Sequence, residues 1–297
     1  MRVAVTGASG LIGQALVDRL RREGHTVARL VRDPAKAAPG DVVWNPEAGT
    51  IDAAALEGID AVVHLAGENV GTRWTEEKKR RILASREQGT SLIARTIAGL
   101  TRPPRVLVQA SAVGIYGDRG DETLTEASPP GTGFLAEVGQ AWEAASAPAE
   151  AAGIRVVKLR IGVVLTAKGG ALEQLMLPFK MGVGGRIGSG RQWMPWISLD
   201  DVVEVILRAI RDERLRGPVN TATGSVRNEE FTEALGRALH RPTLIPVPAF
   251  GIRALFGQMA DEALLAGQRV EPARLSEIGH AFHHPTLDVA LAAALRE

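Results

Sequence analysis

Three glycines spaced three apart follow a short β-branched run at the N-terminus, and this arrangement constrains the fold more than any other feature. The run Val3–Thr6 predicts a strand, and residues 11–20 show helical spacing of apolar side chains. Between them the first glycine permits a tight turn, the second lets a pyrophosphate approach the backbone, and the third lets the helix pack on the strand. Free N–H groups at the helix N-terminus favour an anion. The motif predicts dinucleotide binding by Gly7, Gly10, Leu11, Ile12 and Gly13.

The first 165 residues alternate between strand and helix patterns. Apolar residues recur at helical spacing over 11–20 and 83–100. Alternation of this kind, with apolar strands, is typical of parallel βαβ units in a doubly wound sheet with a Rossmann fold. The runs that predict strands are Val3–Thr6, Thr26–Val31, Ala61–Leu65, Arg105–Gln109 and Arg155–Leu165.

The pattern changes after residue 165, where glycines and prolines crowd the chain. This segment predicts loops around a short helix, Leu172–Leu177. Asp200–Arg211 then predicts a helix and Pro218–Ala222 a strand of the main sheet, and short helices follow from Glu229. We therefore predict a Rossmann domain of residues 1–165 with 199–224. A small, mostly helical C-terminal substrate domain would comprise residues 166–198 with 225–297.

Composition excludes several kinds of site. The chain contains no cysteine, which rules out disulfides, thiolate nucleophiles and zinc ribbons, and its net charge of +1 gives no basic field for nucleic acid.

No apolar stretch reaches the ~18–20 residues of a membrane span, and the N-terminus lacks a signal peptide's pattern, so the cytoplasm is the expected compartment. His280, His283 and His284 lack a supporting carboxylate at helical spacing, so no metal site is predicted.

The end of the second strand bears on the choice between NADP(H) and NAD(H). Sites for NAD usually place an acid there to bind the ribose 2′-hydroxyl, whereas NADP sites place an arginine near the 2′-phosphate. Here the strand ends Leu30-Val31-Arg32-Asp33. Arg32 favours NADP(H), although Asp33 could serve as the acid one position late.

The chain also resembles a known superfamily, the extended short-chain dehydrogenase/reductases that include the nucleotide-sugar epimerases and dehydratases. The resemblance rests on the glycine motif, on His64-Leu-Ala-Gly67 after the fourth strand and on Ser111 after the fifth. Further motifs are similar to an atypical, cell-division-inhibitor-like branch of epimerase-family proteins. They are Arg73-Trp74, Ser111-Ala-Val-Gly-Ile-Tyr-Gly117, Trp142-Glu143, Leu159-Arg-Ile-Gly-Val163, Gly188-Ser-Gly-Arg-Gln192 and Leu264-Leu-Ala-Gly-Gln-Arg-Val270.

The resemblance implies roles that the residues alone do not show. Leu65, Ala66 and Gly67 would pass the backbone beside the adenosine and pyrophosphate. Arg86 would reach the cofactor from the following helix, although by itself it predicts a charge on a helix surface. Val163 would border the nicotinamide, and the substrate would be a small molecule such as a nucleotide sugar or another anionic carbonyl or hydroxyl compound.

One catalytic feature of the superfamily is missing. Its ordinary members use a tyrosine as general acid/base and a lysine four residues later that lowers the tyrosine pKa. The only tyrosine here is Tyr116, and four residues later stands Gly120. Counted back from Glu143, the expected dyad positions fall near Leu135 and Gly139, and neither can titrate.

The remaining candidates for catalysis are Ser111, as a hydrogen-bonding contact to the substrate, and Tyr116, which could also be a packing residue in a turn. Trp193 and Trp196 could stack on a flat ligand or fill an interface, and Arg160 could line the site or pair with an acid. The sequence therefore favours an NADP(H)-dependent oxidoreductase or epimerase-like enzyme with an atypical acid/base. The alternative is a non-catalytic regulator that senses NADPH.

Overall fold

A computed structural model describes residues 1–296, and residue 297, the last of the predicted C-terminal domain, lies outside the described residues. Eight strands form the main sheet in the order β11-β8-β6-β5-β1-β2-β3-β4, and all neighbours are parallel except β3 and β4. The strands in chain order are β1 (Arg2–Thr6), β2 (Thr26–Val31), β3 (Val42–Asn45), β4 (Thr50–Ile51), β5 (Ala61–His64), β6 (Val106–Ala112), β7 (Thr123–Leu124), β8 (Arg155–Ile161), β9 (Val163–Leu165), β10 (Trp193–Ser198), β11 (Gly217–Thr221), β12 (Gly224–Arg227) and β13 (Arg269–Val270).

Helices cover both faces of this sheet. Alternate residues of each strand point to opposite sides, and apolar side chains on both sides pack against helices. Val3 and Val5 pack with α1 (Leu11–Arg22) and α6 (Leu199–Arg211) on one face. Ala4 and Val62 pack with α2 (Glu76–Ala98) and α4 (Ala147–Ala151) on the other. This three-layer arrangement confirms the predicted doubly wound Rossmann fold. The helices in chain order are α1 (Leu11–Arg22), α2 (Glu76–Ala98), α3 (Phe134–Ala144), α4 (Ala147–Ala151), α5 (Gly170–Lys180), α6 (Leu199–Arg211), α7 (Asn228–Leu239), α8 (Ala249–Phe256), α9 (Ala273–Glu277) and α10 (Leu287–Ala294).

A second, three-stranded sheet of order β12-β10-β9 packs with α5, α7 and α10. The sequence did not predict β10 or β12, and it predicted one strand over 155–165 where the structure has two. The division falls at Gly162, where a Cβ would lie 2.8 Å from the Pro195 carbonyl oxygen. Glycine and proline signal loops in a sequence, and only pairing with distant strands makes these segments extended.

The C-terminal segment returns to the main body of the protein. Strand β13 pairs with β7. Just before it, the amide of Gly267 donates to Asp118 Oδ1 at 3.0 Å and the Gln268 side chain donates to the Gly117 carbonyl at 2.9 Å. This segment therefore closes over the loops that follow β6. Within residues 1–296, no helix has the length and apolar character needed to cross a membrane.

Candidate functional site

The glycine motif forms a tight turn between β1 and α1. Gly7 has a φ of +64°, and a Cβ there would lie 2.9 Å from the Ala66 nitrogen. A Cβ on Gly13 would lie 2.1 Å from the Gly7 carbonyl oxygen, so α1 packs directly on the turn. Gly10 differs, because a Cβ there would meet only the Gly7 oxygen, at 3.2 Å. The outer face of the turn at Gly10 is therefore open to a ligand.

The N-terminus of α1 presents unneutralised backbone donors at this open face. Gly10 is the N-cap residue, and the described part of the chain supplies no side-chain cap for it. The first turn contains no acidic residue. Because the first N–H groups of a helix have no partner within it and the helix dipole is positive there, this end attracts an anion.

The backbone after β5 is fixed beside the turn by Thr6. Its hydroxyl oxygen accepts hydrogen bonds from the Leu65 and Ala66 amides at 3.0 and 3.1 Å. The hydroxyl proton can then be donated to His64 Nδ1, 2.8 Å away, which leaves His64 Nε2 as donor to the Thr90 hydroxyl at 3.0 Å. Burial lowers the pKa of His64 to about 4, so the ring is neutral near pH 7. His64 is a buried strand residue that positions the Leu65–Ala66 backbone.

Arg86 lies beneath this backbone, not on a helix surface. It is buried, and its Nη1 donates to the carbonyls of Glu68 at 3.0 Å and Ile82 at 3.2 Å. Its guanidinium lies 4.7 Å from the centre of the Trp142 ring and 3.3 Å from where a Cβ of Gly67 would be. Burial lowers the pKa of Arg86 to about 10. Among residues 1–296 no carboxylate lies within ion-pair distance of it, so it can interact with an anion at Gly67.

Arg32 and Asp33, directly after β2, have different surroundings. Asp33 Oδ1 accepts from the Ala35 amide at 3.0 Å and so caps a short helical turn, while Arg32 is exposed. The pKa of Glu68, in the loop after β5, is lowered chiefly by its hydrogen bond with Lys78 and also by the charges of Lys78, Arg81 and Arg32. No ion pair of Arg32 occurs in residues 1–296. The exposed guanidinium is thus available to a ligand at the end of β2.

Ser111 and Tyr116, the two predicted catalytic residues, belong to one buried network. The Ser111 hydroxyl donates to Glu143 Oε1 at 2.8 Å, and Arg160 pairs with both oxygens of that carboxylate at 2.8 and 2.9 Å. Arg160 Nη1 also donates to the Tyr116 hydroxyl at 2.9 Å, and this hydroxyl lies 2.7 Å from Asn220 Oδ1. Arg160 therefore pairs with an acid, one of the two options that its sequence position left open.

Tyr116 is fully buried, and its hydroxyl already has partners for its proton and its oxygen. Burial raises the pKa of Tyr116, and the nearby Arg160 only partly opposes this effect. The geometry does not favour Tyr116 as an acid/base, because Asn220 and Arg160 already engage its hydroxyl group. The sequence could not show that Tyr116 is enclosed, because the partners of its hydroxyl come from β8 and β11, which are distant in the chain.

Leu135 and Gly139, the positions where counting from Glu143 predicts the dyad, both lie on α3. A Cβ on Gly139 would lie 2.8 Å from Ile115 Cβ, and a Cβ on Gly114 would lie 3.3 Å from Leu135 Cβ. Helix α3 thus packs so tightly on residues 113–116 that a lysine at position 139 has no room.

The tryptophans of β10 differ in their exposure. The Trp193 ring lies 4.2 and 5.1 Å from the guanidinium groups of Arg227 and Arg269, and its N–H donates to Asp121. Trp196 is 3% exposed within the second core. Trp196 therefore fills an interface, whereas Trp193 is half-buried and stacks between two arginines. Val163 is half-buried at the start of β9, next to Trp196.

The histidines near the C-terminus join this region to α6. Asp201 is fully buried and accepts the amides of His283 at 2.6 Å and His284 at 3.1 Å. His284 Nδ1 lies 2.9 Å from the Ser198 hydroxyl, which itself donates to Asp201. This cluster attaches the tail to the N-terminus of α6 by hydrogen bonds.

The sheet order, the glycine turn and the backbone strap after β5 define a Rossmann protein of the short-chain dehydrogenase/reductase class. Within that class, the chain belongs to the NAD dependent epimerase/dehydratase family, whose sequence profile matches residues 3–221. A domain of unknown function, DUF1731, matches residues 247–294.

The chain is similar over nearly its whole length to other sequences and structures of this family. Epimerase family protein Mb2239 of Mycobacterium bovis is 46% identical over 97% of this chain and 96% of its own. The crystal structure of human epimerase family protein SDR39U1 with NADPH superposes with a TM-score of 0.90 at 35% identity, covering 100% of both chains. A nucleoside-diphosphate sugar epimerase from Corynebacterium glutamicum has a TM-score of 0.83 at 38% identity, covering 99% of this chain and 58% of its own.

Proposed function

We propose that this chain is an NADP(H)-dependent oxidoreductase or epimerase-like enzyme that acts on a small molecule. The enzyme would work without a tyrosine–lysine dyad. The observation that carries the proposal is the glycine turn, which holds the uncapped N-terminus of α1 against an open face. The crystal structure of the similar human protein with NADPH supports the choice of ligand.

The proposed cofactor contacts follow the glycine turn and the backbone after β5. Gly7, Gly10, Leu11, Ile12 and Gly13 would hold the pyrophosphate on the turn and helix N-terminus. The strap of Leu65, Ala66 and Gly67 would border the adenosine, and the buried guanidinium of Arg86 would add positive charge beneath it. Arg32 would bind the 2′-phosphate, and Val163 would border the nicotinamide.

A bound nicotinamide dinucleotide would supply or accept the hydride. Ser111 would contact the substrate, and its geometry limits how. Because its proton is donated to Glu143 at 2.8 Å, its oxygen is left to accept a hydrogen bond from a substrate hydroxyl. Glu143 and Arg160 would orient Ser111, and Tyr116 would support this network from inside the core.

We also assign the two parts of the chain different tasks. Residues 1–165 with 199–224 would bind the dinucleotide, and residues 166–198 with 225–297 would bind the substrate, for which the sequence predicts a nucleotide sugar or another anionic compound.

The alternative function is a regulator that senses NADPH. It is favoured by the lack of room for a lysine at position 139. Deuterium from labelled NADPH reaches a product only if the chain is an enzyme.

Arg32→Ala tests the 2′-phosphate assignment. We expect NADPH affinity to fall at least about tenfold and NADH affinity to stay within about twofold, because only NADPH carries the phosphate that the guanidinium would bind. Fluorescence titration with each dinucleotide measures both values. Lys36→Ala, an exposed cation on the same loop, is the control and should leave both affinities unchanged. Equal losses for NADPH and NADH in the Arg32 variant would show that the assignment is wrong.

A further inference from the structure

A cavity of about 430 Å³ lies at the start of β11, on the edge of the main sheet opposite the glycine turn. The glycine turn follows the carboxyl end of β1. Because β1 and β11 run parallel in one sheet, the amino end of β11 lies at the other edge. Cavities of this size are typical of small-molecule sites. The lining residues are Arg214, Leu215, Arg216, Arg274, Glu277 and Ile278.

Arg274, at the wall of this cavity, is held in place by the backbone at the start of β11. Its Nη1 donates to the carbonyl oxygens of Arg216 and, at 2.8 Å, of Pro218. Gly217 between them has a φ of +63°, and a Cβ there would lie 3.3 Å from Arg274 Nη1, so glycine lets the guanidinium pack on the turn. In the part of the chain that the structure describes, Nε and Nη2 of Arg274 have no hydrogen-bond partner. These donors are therefore preorganised for a ligand.

The positive charge at this edge of the sheet is only partly compensated. Neither Arg216 nor Arg274 forms an ion pair with a carboxylate of residues 1–296. Arg216 is exposed, and its Nε donates to the Glu213 carbonyl at 3.4 Å. Burial lowers the pKa of Arg155 at the start of β8, and the charge of Arg216 lowers it further against the opposing charge of Glu213. An anion in the cavity would relieve this repulsion between like charges.

The rest of the lining indicates what such an anion carries. Arg214 pairs with Asp212 at 2.6 Å, so its charge is largely offset. Glu277 is exposed and has no ion-pair partner in the described chain. Its carboxylate can accept a hydrogen bond from a hydroxyl group but repels a second anionic group. Leu215 and Ile278 add apolar wall. This lining fits one anionic group on a small hydroxylated body and does not fit a polyanion.

We infer that this cavity binds a small phosphate monoester with hydroxyl groups, such as a sugar phosphate, at a site separate from the dinucleotide site. The free donors of Arg216 and Arg274 would bind the phosphate oxygens, because the planar guanidinium matches phosphate geometry. Glu277 would accept a hydrogen bond from a hydroxyl group of the ligand. Inorganic phosphate shares the charged group and lacks the hydroxylated body, so it serves as the comparison ligand.

Calorimetric titration of the full chain with glucose 6-phosphate and with inorganic phosphate, each in the presence and absence of NADPH, tests this inference. We expect glucose 6-phosphate to bind saturably, about fivefold tighter than inorganic phosphate, because only the ester reaches Glu277 with a hydroxyl group. Arg216→Gln and Arg274→Gln should each weaken this binding at least about tenfold, because each removes a charge-assisted contact. Arg241→Gln, which changes an exposed arginine after α7, is the matched control and should bind like the wild type.

Two further measurements separate binding from folding. The Arg216 side chain is exposed, so Arg216→Gln should keep the unfolding midpoint of the wild type even if loss of the Arg274 backbone contacts destabilises the other variant. Glu277→Gln should bind inorganic phosphate about two- to fivefold tighter, because a like charge is lost, and should lose the preference for glucose 6-phosphate. A purely structural role of these residues predicts neither change.

Several results would overturn the inference. They are the absence of saturable binding of either anion, and wild-type affinity for glucose 6-phosphate in a folded Arg216→Gln. Competition between NADPH and glucose 6-phosphate would place the phosphate on the glycine turn. Equal affinity for the ester and for inorganic phosphate would show a site for the free ion, and tighter binding of a single-stranded RNA would show a nucleic-acid surface. Failure to bind NADPH alone would reject the proposed function and leave this second site standing.

Discussion

Gly10→Ala is expected to fold normally and to bind NADPH about 100-fold more weakly, a loss of about 2.7 kcal/mol. The φ of Gly10 is −80°, which any residue adopts, and its Cβ would meet only the Gly7 oxygen, at 3.2 Å. The added methyl group would stand on the open face of the turn, where the pyrophosphate must approach the backbone. Chemical denaturation and NADPH titration of the same protein measure the two effects separately.

Gly13→Ala is a comparison variant that should lose stability as well as NADPH affinity. A Cβ on Gly13 would lie 2.1 Å from the Gly7 carbonyl oxygen, so α1 must shift, and both stability and binding should fall. Gly99→Ala is the control, because Gly99 ends α2 with a φ of −91° and has no atom within 3.5 Å of an added Cβ. Unchanged NADPH affinity in Gly10→Ala would place the pyrophosphate elsewhere.

Glu143→Gln is expected to lower the free energy of unfolding by about 3–5 kcal/mol, because it leaves the buried guanidinium of Arg160 without its charge partner. The pair is nearly inaccessible, with side-chain exposures of 7% and 12%, and it joins α3 to β8. Burial alone would lower the pKa of Arg160, but the hydrogen bonds and charge of Glu143 raise it above its ordinary value. Urea denaturation followed by circular dichroism measures the change.

Glu77→Gln provides the matched control for this substitution. Glu77 forms an ion pair with Arg81 on the surface of α2, where both side chains are more than half exposed. Such pairs contribute about 0–1 kcal/mol, so the unfolding midpoint should barely move. Equal effects of the two substitutions would mean that the Glu143–Arg160 pair is not buried as described.

Sequence patterns predicted the parts of the protein whose signals are local. The β1–turn–α1 unit is specified by glycines within eight residues, and helices such as α6 show their own apolar periodicity. The same reasoning missed β10, because Pro195 in its middle indicates a loop. Only pairing with β9 and β12, both distant in the chain, makes that segment a strand.

The site was less predictable, since its contacts join distant segments. Arg86 alone predicts a surface charge, but Trp142, 56 positions later, covers it. The sequence left Tyr116 as a catalytic candidate, because Arg160 and Asn220, which bind its hydroxyl, come from the distant strands β8 and β11. Helix periodicity could have indicated that Glu143 faces the sheet, but it could not identify Arg160 as the partner.

Calorimetric titration of the wild-type chain with NADPH, and separately with NADH, tests the central claim most directly. We predict saturable binding of NADPH, at least about tenfold tighter than that of NADH, because the uncapped helix N-terminus binds the pyrophosphate and Arg32 adds a contact to the 2′-phosphate. Failure to bind NADPH would contradict the proposed dinucleotide site, and equal affinity for the two dinucleotides would contradict the role of Arg32.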